Sequence, residues 1–159
     1  MAASKAGIVF RTYRERYGEF NNFYPCRIKI SGRAYKSVEH YYQSRKPVSR
    51  KHREYIIAAP SAAEAKRRAY RIGKDNWRKD WKKVKFAVMR KALYAKFTQN
   101  QRLKRVLLST GDSALHEGHS HDPVWGMQGQ DLAGRMLVEL RSAIRSGNPR
   151  SFLKKRKSL

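Results

Sequence analysis

The chain has 159 residues, 40% hydrophobic and 11% aromatic, enough for one domain with its own core and too apolar for a disordered chain despite a mean hydropathy of −0.81. Its 37 Lys+Arg against 12 Asp+Glu give a net charge of +25, which directs attention to polyanions as partners (nucleic acid, nucleotide phosphates or anionic membrane) but names no reaction. A lone cysteine, Cys26, excludes an intrachain disulfide and a thiolate metal cluster, and no apolar run approaches the roughly 20 residues that span a bilayer.

The first seven residues contain no secretory apolar region, so a soluble cytoplasmic protein is expected. Short extended segments follow at Ile8-Val9-Phe10, Arg27 to Ile30 and Ala34-Tyr35, with Ser31-Gly32 as the turn of a hairpin. Ser37 reads as the N-cap of a helix through Glu39, His40, Tyr42 and Gln43 that stops near Pro47. A second helix is expected from Ser49 to Ala59, and Ser61-Ala62-Ala63-Glu64 is a capping box for a third.

The strongest periodicity runs from Asp80 to Thr98. There Phe86, Met89, Leu93 and Phe97 form a stripe beside the row Trp81, Val84 and Val88, so Lys82, Lys83, Arg90 and Lys91 should face water. Leu103, Val106 and Leu107 mark another helix, and Leu132, Met136, Leu140 and Ile144 the last, closed by Gly147-Asn148-Pro149. The stretch from Thr110 to Gln130 lacks periodicity, and long irregular segments in compact domains commonly carry function. The expected architecture is a predominantly helical α+β single domain, 1–149, with a small antiparallel sheet or hairpin near its N-terminus. A basic, loose tail of residues 150–159 follows.

Four patches hold candidate chemistry. Tyr17 to Phe23 surrounds a glycine with aromatic and amide groups, and Asn22 could hydrogen-bond a sugar or base edge while Phe20 or Phe23 packs beside it. Glu39, Tyr42, Gln43 and Lys46 stand three or four apart, so an acid, an amide and an amine share one helical face with an aromatic ring. Such pairs also occur as ordinary helix decoration. The basic run from Lys66 to Lys96, broken by Asn76-Trp77 and Trp81, suits phosphate contact and base stacking, or simply a solvated helix. In the fourth, His116, Glu117, His119, His121 and Asp122 precede Trp125-Gly126, but their spacing matches no standard zinc motif, and neither a metal nor a cofactor is expected.

Taken in order, these patches resemble the NADAR (YbiA-like) family. The resemblance rests on Tyr17 to Phe23, then Glu39 to Gln43 with Lys46, then Trp81, Val84 and Met89 to Phe97. Thr110-Gly111-Asp112, Leu115 to Glu117, Asp122 to Gly126 and a closing helix over Gly134 to Arg141 complete it. Departures from the family pattern are Asn21, Pro47, Asp131, Ala133 and Val138. The resemblance implies an N-glycosidase, a hydrolase that cleaves a ribose C1–N bond. Its substrate would be ADP-ribosylated guanine of nucleic acid or an early phosphoribosylated intermediate of riboflavin biosynthesis. It also implies Glu39, Lys46 and Asp122 as catalytic candidates. Phe20, Asn22, Phe23, His40, Gln43, Trp81, Glu117, Trp125, Gly126 and Asp131 become candidates for substrate contact. Lys46 would act as an amine nucleophile in one route, whereas Glu39 would serve acid–base chemistry in the other. The competing readings are a non-catalytic nucleic-acid module, favoured by charge, and an ADP-ribose sensor that leaves its ligand intact.

Overall fold

The structure, a computed structural model, describes residues 7–118 and 121–154. Among the described residues four strands, β1 (Ile8–Phe10), β2 (Ile28–Ile30), β3 (Arg33–Tyr35) and β4 (Leu115–Glu117), accompany seven helices. These are α1 (Val38–Ser44), α2 (Arg50–Ile57), α3 (Ala62–Ile72), α4 (Trp81–Gln99), α5 (Gln101–Ser109), α6 (Leu132–Arg145) and α7 (Ser151–Lys154). Short 3-10 helices lie at Gly18–Phe20 and Lys74–Asn76. The mostly helical α+β class is as the sequence predicts. No helix among the described residues is long and apolar enough to cross a membrane.

The chain divides into two compact units, one of residues 22–99 and the other of residues 1–21 with 100–159. In the first unit β2 and β3 form the expected antiparallel hairpin, with Ser31 and Gly32 both at positive φ in its turn. Helix α1 packs against α2, α3 and α4, and all seven of its residues are buried. Small side chains, Ala59, Ala65 and Ala69, let α2 and α3 close on Ile56. The Ser37, Ser49 and Ser61 hydroxyls each accept the N–H three residues on, so the two predicted N-caps, Ser37 and Ser61, form and Ser49 adds a third.

Helix α4 departs from its expected amphipathicity. Lys82, Lys83 and Lys91 are exposed, but Arg90 is 6% exposed and Lys96 is fully buried, with its ammonium over the Tyr24 and Phe97 rings. The reason is that α4 packs against both α1 and β2, so its second half is covered on more than one side. Long basic side chains then bury their stems and keep local partners.

In the other unit β1 pairs with β4 in parallel, Val9 opposite His116. Strand β4 lies within the stretch without periodicity, because three residues are too short for alternation to register. Helix α6 lies against β4 so closely that a Cβ at Gly134 would run into the Leu115 carbonyl oxygen. The tail was expected to be loose from Arg150, yet Ser151–Lys154 form α7, with Phe152 buried beside α6. One aromatic side chain is enough to hold that turn down. Lys155-Arg156-Lys157 of the basic tail, like the N-terminal residues 1–6, lie outside the described residues.

Candidate active site

Helix α1 concentrates the unusual chemistry. Glu39 is 5% exposed and accepts a hydrogen bond of 2.6 Å from the Gln43 side-chain amide, one helical turn on. Burial pushes the Glu39 carboxyl above its ordinary value, while the Gln43 hydrogen bond and the charges of Lys66 and Lys46 pull the other way. The Gln43 carbonyl oxygen is buried with no hydrogen-bond partner. Upstream, the Asn22 carbonyl accepts the Glu39 N–H and the Asn22 amide reaches the Met89 sulfur at 3.6 Å, which ties the segment before β2 to both helices.

Lys46 ends this face, 3% exposed, inside a box of four rings. Its Nζ lies 4.3 Å from the Trp77 ring centre, 4.6 Å from Tyr70, 5.5 Å from Tyr42 and 5.7 Å from Trp81. The rings support one another edge to face, Tyr42 on Trp81 at 5.0 Å and Tyr70 on Trp77 at 5.3 Å. An antiparallel bridge from Pro47 to Trp77, with the Arg78 N–H on the Lys46 carbonyl at 2.8 Å, brings the second tryptophan to the lysine. Cation–π attraction of this kind holds an ammonium firmly once water is excluded.

His40 serves the fold. Its Nδ1 meets the Ser37 hydroxyl at 2.8 Å and its Nε2 meets the Ala59 carbonyl at 3.1 Å, so one neutral ring links the cap of α1 to the end of α2. Burial lowers its pKa and keeps that ring uncharged. Both ring nitrogens are committed within the unit. The Phe20 ring is 1% exposed, edge-on to Phe10 and stacked on Tyr17, a core position in its own unit. Phe23 is half-buried.

In the unit containing β4, the segment 121–131 folds back on itself. One Asp122 carboxylate oxygen accepts the N–H groups of Val124 at 2.8 Å and Trp125 at 3.1 Å, the geometry of a turn-forming aspartate. The buried Gly126 donates to the Asp122 carbonyl and accepts from Gly129 and Asp131. Trp125 is half-buried, and its carbonyl receives the Ala133 N–H at the start of α6. Asp131 takes the left-handed conformation, φ 53°, and joins His116 Nδ1 at 2.5 Å while accepting the Glu117 N–H at 3.3 Å. Glu117, 8% exposed, closes β4. His121 sits 3.4 Å from the Gln128 amide oxygen, and His119 lies outside the described residues.

Residues 9–145 match the model of the NADAR domain. The chain belongs to the NADAR family. Among its NADAR relatives is the N-glycosidase YbiA of Escherichia coli, 37% identical over 146 residues, which cover 86% of this chain and 88% of YbiA. A riboflavin biosynthesis protein of Vibrio vulnificus is 37% identical over 150 residues, 89% of this chain but 40% of that longer protein. The solved NMR structure of E. coli YbiA superposes with a TM-score of 0.81 at 34% identity, covering 98% of this chain and 92% of that one. At that identity and coverage the NADAR assignment includes the fold as well as the sequence pattern.

The sequence face of Glu39, Tyr42, Gln43 and Lys46 is thus one continuous buried surface, with Trp81 at its edge. Tyr70 and the influence of Lys66 on Glu39 were missed. Both lie on α3, and only the packing of α3 against α1 brings them there. The Tyr70 signal was available as an aromatic residue four positions after Lys66 on an otherwise basic helical face.

Proposed function

We propose that Glu39 carries the acid–base step in hydrolysis of a ribose C1–N bond, with Gln43, Lys46 and Trp81 arranged around it. The chain is an N-glycosidase, as its NADAR relatives in E. coli and Nostoc punctiforme are named. In such a reaction the C1–N bond breaks with its electron pair moving to nitrogen, which takes up a proton. Water then adds to the oxocarbenium-like carbon and loses a proton. A carboxyl held above its ordinary pKa by burial suits both halves: protonated, it gives its proton to the leaving nitrogen; ionised, it takes one from water. The unpartnered Gln43 carbonyl suits a ribose hydroxyl donor, and the Lys46 ammonium steadies the carboxylate between the two steps. Trp81, half-buried, stacks on the base or sugar. Asp122 shapes the turn that carries Trp125, while Glu117 and Asp131 brace it.

The single observation behind this reading is a buried carboxyl, hydrogen-bonded to the Gln43 amide and held above its ordinary pKa despite the charges of Lys66 and Lys46. A second reading is favoured by the burial of Lys46, an apolar setting in which an amine can act as a nucleophile on a ring-opened ribosyl group. It requires the lysine to shed its proton inside a box of rings that attract the ammonium. The substrate class is a phosphorylated ribosyl or ADP-ribosyl N-glycoside. The name of the Vibrio relative supports the riboflavin-pathway intermediates, and the +25 charge supports ribosylated nucleic acid. A cytoplasmic setting belongs to the same proposal.

The test incubates the protein with guanine-ADP-ribosylated DNA and, separately, with phosphoribosyl intermediates of riboflavin biosynthesis, following products by mass spectrometry. Release of ADP-ribose or ribose phosphate is expected, with Glu39→Gln reduced about 10²- to 10⁴-fold. Full turnover by Glu39→Gln would end the acid–base reading. Lys46→Arg keeps the charge and removes the nucleophile, so its substantial activity supports Glu39 and its complete loss supports the lysine route.

A further inference from the structure

The positive charge is unevenly distributed. Residues 22–99 hold 22 Lys+Arg against 5 Asp+Glu, whereas the rest of the chain holds 15 against 7. Much of the excess surrounds the aromatic box. Tyr70, Trp77 and Trp81 reach the same Nζ from three consecutive segments, the end of α3, the 3-10 helix Lys74–Asn76 with its following residue, and the start of α4. The chain beside these rings is the rim of the box, and in it Lys66, Lys74, Lys79, Lys82 and Lys83 are all exposed. The acids of this stretch are few: Asp80 is paired with Arg78, and Asp75 is exposed.

Two features of the rim make little sense for stability alone. Lys82 and Lys83 occupy the first turn of the 19-residue α4, where the one neighbouring acid, Asp80 just before the helix, is already paired with Arg78. That is the positive end of the helix dipole, where a cation costs stability and a bound anion would restore it. Tyr70 leaves 52% of its surface to solvent although its ring is already fixed against Trp77 and the Lys46 ammonium. An immobilised, exposed ring flanked by cations is the arrangement that receives an unstacked base while its phosphates run past lysines.

We propose that the rim from α3 to the start of α4 is a docking surface for a single nucleic-acid strand, with Tyr70 as the base-stacking ring and Lys66, Lys74, Lys79, Lys82 and Lys83 as its phosphate contacts. The proposal deepens the N-glycosidase reading, because the same box holds Lys46 beside Glu39. A single strand fits better than a duplex, whose bases are already stacked and offer Tyr70 no open face.

The test measures binding of a fluorescein-labelled 16-nucleotide single-stranded DNA by anisotropy across a series of KCl concentrations. The wild type should bind with a steep salt dependence. The triple variant Lys79→Gln, Lys82→Gln, Lys83→Gln should flatten the slope of log K against log salt by about 2, at about 0.7 per phosphate contact on a single strand. Tyr70→Leu should weaken binding about tenfold with the slope unchanged. The control Lys104→Gln, Arg105→Gln, on α5, should leave the slope at its wild-type value. Circular dichroism melts establish that each variant is folded. Equal flattening by the control would mean that net charge acts without a defined surface, and the proposal would fall. Equal affinity for a 16-base-pair duplex would overturn the strand assignment. Unchanged strand binding by the triple variant, with a raised KM on a small phosphoribosyl substrate, would reassign the rim to substrate phosphate. Binding is read without turnover, so a failed glycosidase assay would leave this result standing, and intact turnover with no strand binding would sink the surface alone.

Discussion

Glu39 and Lys46 place opposite charges on one short helical face from which water is largely excluded, and the fold gives each a different means of support. The lysine has rings, whereas the carboxyl has one amide hydrogen bond and two lysine charges that fall short of offsetting its burial. A carboxyl whose folded pKa lies above its unfolded value binds its proton more tightly in the folded state. Its contribution to stability is complete below the ordinary value of 4.5 and is lost as pH rises through the raised one. Glu39→Gln should therefore raise Tm at pH 7, and the gain should shrink towards zero as melts are repeated down to pH 4. A variant less stable than wild type at pH 7 would mean that the contacts to the carboxylate outweigh its desolvation.

At the scale of elements, α1 is a seven-residue helix that could not stand alone in water, since nucleation is costly and helices this short are marginal. It persists because α2, α3 and α4 cover it and because the Ser37 cap and the neutral His40 satisfy groups at its start. The polar face of Glu39 and Gln43 is buried as a consequence of that covering. The β4–α6 contact shows the opposite strategy, close approach through a missing side chain at Gly134. Gly134→Ala gains helix propensity but drives a methyl group into the Leu115 carbonyl. It should lower stability by about 1–3 kcal/mol, read as a fall in denaturant midpoint. A neutral or stabilising result would show that α6 can slide away from β4 at no cost.

At the scale of the whole molecule the +25 charge is a standing repulsion. Ion pairs such as Arg33 with Glu54 and Arg145 with Asp112 offset only part of it, because the cations outnumber the acids three to one. Screening should relieve the remainder. Tm is expected to rise as KCl goes from 20 to 300 mM, over which the Debye length shortens from about 20 Å to about 6 Å. A flat or falling Tm would mean that the fold already balances its charges locally.

The sequence by itself determined the helices, their serine caps, the hairpin and the family, because each is written in neighbouring residues: caps at fixed offsets, periodicity along α4 and α6, and motifs in a set order. It also placed Glu39, Gln43 and Lys46 on one helical face. The tertiary structure alone decided what that face meets. Offsets along a chain carry no record of which segment packs across a helix, so Tyr70, Trp77 and the charge of Lys66 entered only when α3 and the start of α4 closed on α1. For the same reason the two partners of the His40 ring and the burial of Phe20 are not written in their neighbouring residues. Arg90, expected to face water, was buried by a second packing surface that a single-helix pattern does not contain, whereas Lys96 sits on the apolar stripe itself and is fully buried there.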